Sequence, residues 1–202
     1  MKNFLASLLI TIISTPMLGQ VTAPPASELR LYDIIDAVSA SRIERDIRKL
    51  AGFGTRNTLS DTLSETRGIG AARRWIKDEM LQISKDCNDC LEVIEQRTLV
   101  KGDPKTRIKV DVVVVNMIAI QRAPNKTSRY VVMSGDIDSR ASVSTDGETD
   151  APGANDNASG MAGVLEAARI LSKYEFEANI VYVGLSGEEQ GLFGGKPVSY
   201  TH

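Results

Sequence analysis

Apolar residues recur every three or four positions at Ile43, Ile47 and Leu50, and again at Ile69, Ala72, Trp75, Ile76, Met80 and Ile83. Each set draws one stripe along a helix, so two amphipathic helices are predicted, with Trp75 in the core. Ser41 and Glu44 form a capping box for the first helix, and Gly52 is placed to end it. Past Cys90 the period changes. Leu91 to Leu99 alternates in part, and Ile108 to Ile120 carries an unbroken VVVV run suited to a strand buried on both faces. Tyr130 to Met133 reads as a further strand closed by Ser134 and Gly135. Gly160 to Leu171 returns to helical spacing through Met161, Val164, Leu165, Ala168 and Leu171, and Asn179 to Leu185 is an apolar strand.

The order from Tyr130 to Leu185 is therefore strand, long loop, helix, strand, which joins parallel strands by a right-handed crossover. Ligands of such sheets bind beyond the carboxyl ends of the strands. Asp136-Ile137-Asp138, the DAPGANDNASGMAG stretch from Asp150 to Gly163 and LSGEEQG from Leu185 to Gly191 all fall at or near those ends. No internal repeat or low-complexity segment interrupts the pattern.

The first residues, MKNFLASLLITIISTPMLG, set Lys2 ahead of an apolar run from Phe4 to Ile13, followed by Pro16 and small residues near Gly19 and Ala23. That order is the order of a secretory signal peptide over residues 1–23, and the apolar run is short for an uncleaved membrane anchor. Residues 24–30 read as a Pro-containing linker, and residues 31–202 as one domain with a sizeable core. Export is the expected destination, without stable membrane insertion once the signal is removed.

Charge adds an exclusion. With 24 Lys and Arg against 26 Asp and Glu, the chain lacks the basic field that nucleic acid would demand, which leaves small or peptidic partners. Cys87 and Cys90 are the only cysteines, too few for a zinc site of soft ligands. A local disulfide or two free surface thiols are the remaining readings. Gly194-Gly195-Lys196 lacks the upstream glycine and following hydroxyl residue of a phosphate loop, and GIGAAR at Gly68 follows polar loop sequence instead of a strand.

Each acidic motif alone has a structural explanation as a turn, a cap or a solvated helix start. Together they do not. Asp156 and Glu188 are separated by one helix and one strand, so adjacent parallel strands would bring their ends together. Several carboxylates converging on one crevice repel one another unless cations neutralise them. A glutamate not used as a ligand can then accept a proton from water, so adjacent Glu188 and Glu189 can divide two tasks. Gly187 and Gly191 let the backbone approach a substrate.

The strings SGDIDSR, DAPGANDNASGMAGVLEAARIL and IVYVGLSGEEQGLFGGK closely resemble the M28 family of zinc-dependent exopeptidases, which includes bacterial leucyl aminopeptidases. The resemblance runs from about Met133 to Lys196, and the lead-in RNTLSDTLSETRGIGAARRWI is also similar. It implies a three-layer α/β/α sandwich with a mostly parallel mixed sheet, two zinc ions per intact domain, and cleavage of N-terminal residues from peptide substrates. By position, Asp156 would bridge the two metals, Glu188 would be the general base and Glu189 a ligand to one metal. Asp138 would support the first metal-binding position, Asp136.

Two departures stand out. Asp136 occupies the place where the family motif carries histidine, which puts an anionic oxygen where a neutral nitrogen is usual. The family also draws an aspartate and a histidine from beyond the Glu-Glu motif, whereas the only histidine here is the terminal His202, which is not expected to substitute. The sequence is therefore expected to be the N-terminal portion of such a domain, incomplete at its C-terminus, with weak metal binding and little turnover of its own. A non-catalytic binding relative and a glutaminyl cyclase-like acyltransferase are the alternatives.

Overall fold

The computed structural model describes residues 26–199. The signal-peptide reading and His202 lie outside those residues. Five helices and four strands are described: α1 (Ala26–Asp36), α2 (Ala40–Ala51), α3 (Gly68–Asp86), β1 (Leu91–Val100), β2 (Val112–Gln121), β3 (Tyr130–Asp136), α4 (Ser159–Leu171), β4 (Asn179–Leu185) and α5 (Gly195–Ser199). Helix α1 takes in most of the segment read as a linker, because only Pro24 and Pro25 oppose helix and both precede it. Pro197 sits inside the short helix α5 instead of ending it, as the first turn of a helix tolerates a residue without an N–H. Among the described residues no helix is long and apolar enough to cross a membrane.

The strands form one mixed sheet in the order β1-β2-β4-β3. The expected parallel pairing of β3 with β4 is present, from Tyr130 opposite Asn179 to Asp136 opposite Leu185. The other two described pairings, β1 with β2 and β2 with β4, are antiparallel, so this part of the sheet is not mostly parallel. Only β3 and β4 are joined through a covering helix. The turn between β1 and β2 explains why Ile108 to Asp111 stays out of the strand: Thr106 Oγ1 donates to the Ile108 carbonyl, and Val110 is exposed.

Side-chain alternation divides the sheet into two faces. Val115, Met117 and Ala119 of β2 and Ile180 and Tyr182 of β4 join one core with Leu50 of α2, Ile69, Ile76, Met80 and Ile83 of α3, and Met161, Leu165 and Ala168 of α4. The alternate residues Ile118, Val181 and Val183 face the other way, where Val198 of α5 packs against them. Helices thus stand on both faces, the second only lightly covered. Trp75 is half-buried against the core edge, its ring 6.5 Å from that of Phe53.

One local reading changes, and one left open is decided. Helix α2 begins at Ala40, and its cap is Ser39, whose hydroxyl accepts from the Arg42 N–H at 3.3 Å. Ser39 outcompetes Ser41 because its own N–H also donates to Glu166 of α4 at 2.7 Å, while Glu44 pairs with Arg48. Cys87 and Cys90 form a disulfide that ties the end of α3 to the start of β1.

Candidate active site

Parallel pairing of β3 and β4 ends at Asp136 and Leu185, and the Ile137 N–H reaches across to the Leu185 carbonyl at 2.6 Å. The Asp136-Ile137-Asp138 segment and the Ser186-Gly187-Glu188-Glu189 turn therefore leave the sheet side by side. The turn is clamped from below. Asn116 of β2 accepts from the Ser186 N–H at 3.0 Å and donates to the Gly194 carbonyl at 2.8 Å, closing both ends of the loop that carries the glutamates. Gly187 has φ of 75°, a left-handed conformation that glycine adopts without steric cost.

Asp138 lies at the centre of this junction, 1 % exposed. Its carboxylate accepts from Thr58 Oγ1 at 3.0 Å and from the Glu188 and Glu189 N–H groups, both at 3.3 Å. Burial pushes its carboxyl up to about 6, against the pull of those three donors and with a further push from Asp136. Thr58 completes the link by accepting from the Gly187 N–H at 2.8 Å. Asp138 thus holds the Glu188–Glu189 turn, whereas the family resemblance implied that it would support the Asp136 position.

Asp156 comes from a third element, the wide turn Ala154–Ala158 that enters α4. Its neighbour Asn157 accepts from the Gly160 N–H at 2.8 Å and donates to Asp136 at 3.1 Å, so the cap of α4 is also a strut to the end of β3. A Cβ on Gly160 would lie 1.9 Å from the Asn157 amide oxygen, so this contact needs glycine. The Asp156–Asn157 peptide is cis.

Four candidate carboxylates face one another across this junction. Burial raises the Asp136 carboxyl first, and Asp156 raises it further despite the hydrogen bond from Asn157. Burial also raises Glu188, with added repulsion from Asp136 and Asp156, opposed by Arg140 and Arg107. Glu189 is raised by burial and by its carboxylate neighbours, although Arg140 opposes the shift through an ion pair at 2.9 Å. An all-oxygen set of this kind is suited to divalent cations by donor chemistry. By distance it falls short: among the described residues no group of three or more histidine, cysteine or carboxylate side chains stands close enough to hold an ion. Glu189 is instead paired with Arg140, and Asp136 accepts from Asn157. The expected two-metal site is not formed by these carboxylates alone.

Several residues of the site carry no motif. Arg56, fully buried, donates from Nε to the Ile137 carbonyl at 2.8 Å, from Nη1 to Leu50 and Pro152, and from Nη2 to Gly153 at 3.0 Å. It therefore stitches the loop after β3 to the loop that delivers Asp156. Burial holds its guanidinium down at about 10, with Asp138 pulling the other way. Asn116 was equally silent in the sequence. The traces of the others were that Arg56 and Thr58 stand in the RNTLSDT lead-in and that Arg140 closes the SGDIDSR string.

The family model described as Peptidase family M28 matches residues 116–201, the stretch that holds every one of these carboxylates. The chain belongs to peptidase family M28. A probable zinc metalloprotease of Pyrenophora tritici-repentis is 43 % identical over 90 % of this chain and 37 % of its own length. A second, from Leptosphaeria maculans, is 42 % identical over 84 % of this chain and 39 % of its own length. The chain thus spans about two fifths of the length of these relatives. Among solved structures, the LapA aminopeptidase of Legionella pneumophila superposes with a TM-score of 0.63 at 19 % identity, covering 96 % of this chain and 47 % of that one. The glutaminyl cyclase of Porphyromonas gingivalis gives 0.55 at 21 % identity, covering 80 % and 50 %. At these identities the likeness is one of fold.

Proposed function

We propose that the whole protein is an exported zinc-dependent peptidase that removes N-terminal residues from peptides. The observation that carries this reading is the junction itself. Asp136, Asp156, Glu188 and Glu189 arrive from three elements at the carboxyl ends of two parallel strands, and each of Asp136, Glu188 and Glu189 has its proton held more tightly than in water. The names of the M28 relatives, probable zinc metalloproteases, supply the metal and the reaction class.

Within this chain the roles divide by partner. Glu189, Asp136 and Asp156 are the anionic donors for zinc, which in peptidases supplies Lewis acidity toward water and the scissile carbonyl. The described residues alone do not close a site for the metal. Glu188 is the proton acceptor: its backbone is fixed by Asp138, among the described residues its side chain forms no ion pair, and burial with repulsion from Asp136 and Asp156 raises its carboxyl, which strengthens it as a base. Asp138 and Thr58 hold the turn in register. The Cys87–Cys90 disulfide supports export, since such bonds persist in oxidising compartments.

Assay of the full-length protein on aminoacyl anilides, with and without a chelator, tests the reading. Activity should be lost on chelation and restored by zinc, and Glu188→Gln should lower kcat by about a hundredfold or more with little change in KM. Full activity in Glu188→Gln would remove the proton-acceptor assignment. Loss of ammonia from glutamine-starting peptides without cleavage would replace peptide hydrolysis by cyclisation.

A further inference from the structure

A second polar cleft lies between α3 and the β1–β2 hairpin, on the helix-covered face of the sheet. It encloses about 200 Å³ and is lined by Arg73 and Arg74 of α3, Glu95 and Arg97 of β1, and Val115 and Met117 of β2. Three guanidinium groups share the cleft with one carboxylate. That carboxylate is already engaged, because Glu95 accepts from Lys77 at 2.7 Å and pairs with Arg97. Arg74 is bound to the carbonyls of Thr62, Leu63 and Ser64, which fixes its charge at the rim.

Arg73 is the unexplained member. It is 6 % exposed, its Nε makes one long contact of 3.4 Å to Ser186 Oγ, and its buried Nη2 has no acceptor. An arginine fork presents five donors, and a buried donor left unpaired is destabilising. Water could fill the space, but water does not offset the surplus positive charge. A small anion does both.

We propose that this cleft is a binding site for a small oxyanion, phosphate, sulfate or a carboxylate, held by Arg73 from within and by Arg97 and Arg74 at its mouth. The volume admits such an ion together with several waters. The apolar wall formed by Val115 and Met117 excludes competing solvent and strengthens the pairing. The cleft is lined by none of the junction's carboxylates, and it connects to the junction through the Arg73–Ser186 contact and the attraction between Arg73 and Asp138.

Thermal unfolding of the purified protein, with chloride replaced stepwise by phosphate at constant ionic strength, tests the proposal. The transition temperature should rise along a saturating curve, as binding to the folded state alone requires. Arg97→Gln should raise the phosphate concentration for half the effect by about tenfold, the loss of one charge-assisted contact. Arg122→Gln, an exposed arginine paired with Glu92 elsewhere on the sheet, should leave the curve unchanged. Parallel titrations with sulfate and acetate separate a tetrahedral oxyanion from a carboxylate. A transition temperature indifferent to all three anions, or an equal response in Arg97→Gln and the parent, overturns the site.

Discussion

Asp138 shows how one residue can couple support to stability. Its carboxyl is raised from 3.8 to about 6, chiefly by burial. A carboxyl raised in the folded state favours folding when protonated, so its contribution is fully present below about 4 and is lost as pH rises through about 6. The difference corresponds to roughly 3 kcal/mol. Asp136, Glu188 and Glu189 are shifted in the same direction. The metal-free protein should therefore become more stable as pH falls from 7 to 5, the reverse of ordinary acid destabilisation. Urea unfolding across that range checks it, and Asp138→Asn should flatten most of the slope. A flat profile in the parent protein, or an undiminished slope in Asp138→Asn, would contradict the account. Arg56 acts at the same scale through geometry: four carbonyls from three chain segments depend on one guanidinium.

Elements were legible where packing imposes a period. Helix α3 follows its apolar stripe, α4 begins one residue before the predicted start, and β4 matches Asn179 to Leu185 throughout. Ends were less legible, since they depend on partners distant in the chain. Ser39 and Ser41 are chemically alike, and what selects Ser39 is Glu166, far along the sequence on α4. This difference can be measured. Ser39→Ala should lower stability by about 1 kcal/mol through loss of the cap, and Ser41→Ala by only a few tenths. Equal losses in chemical unfolding would restore the capping box at Ser41 and Glu44. The polar clamps of the site were illegible for a related reason. Asn116 sits within a run of apolar strand residues, and Arg56 and Thr58 in a loop without periodicity, so no local pattern distinguishes them from surface residues.

At the scale of the whole molecule, three helices meet over the sheet through charge as well as apolar packing. Asp46 of α2, fully buried, accepts from Arg169 of α4 at 2.5 Å and from Arg45 at 2.9 Å; Arg169 also pairs with Glu79 of α3. On the same seam, Arg42 of α2 binds Glu166 of α4 at 2.6 Å. This network joins the helix that delivers Asp156 to the rest of the layer, so it fixes the third element of the carboxylate junction at a distance. Removing Arg169 leaves the buried Asp46 with Arg45 as its remaining cation, and Arg169→Met should cost about 2–3 kcal/mol through loss of a charged hydrogen bond. Replacing both ends of the buried pair removes that penalty, so Asp46→Leu with Arg169→Met should be more stable than Arg169→Met alone. The comparison is made by denaturant unfolding of the parent, both single variants and the double variant. Simple additivity of the two losses would mean that Asp46 and Arg169 stabilise the layer independently, and that apolar packing alone sets the angle at which α4 presents Asp156.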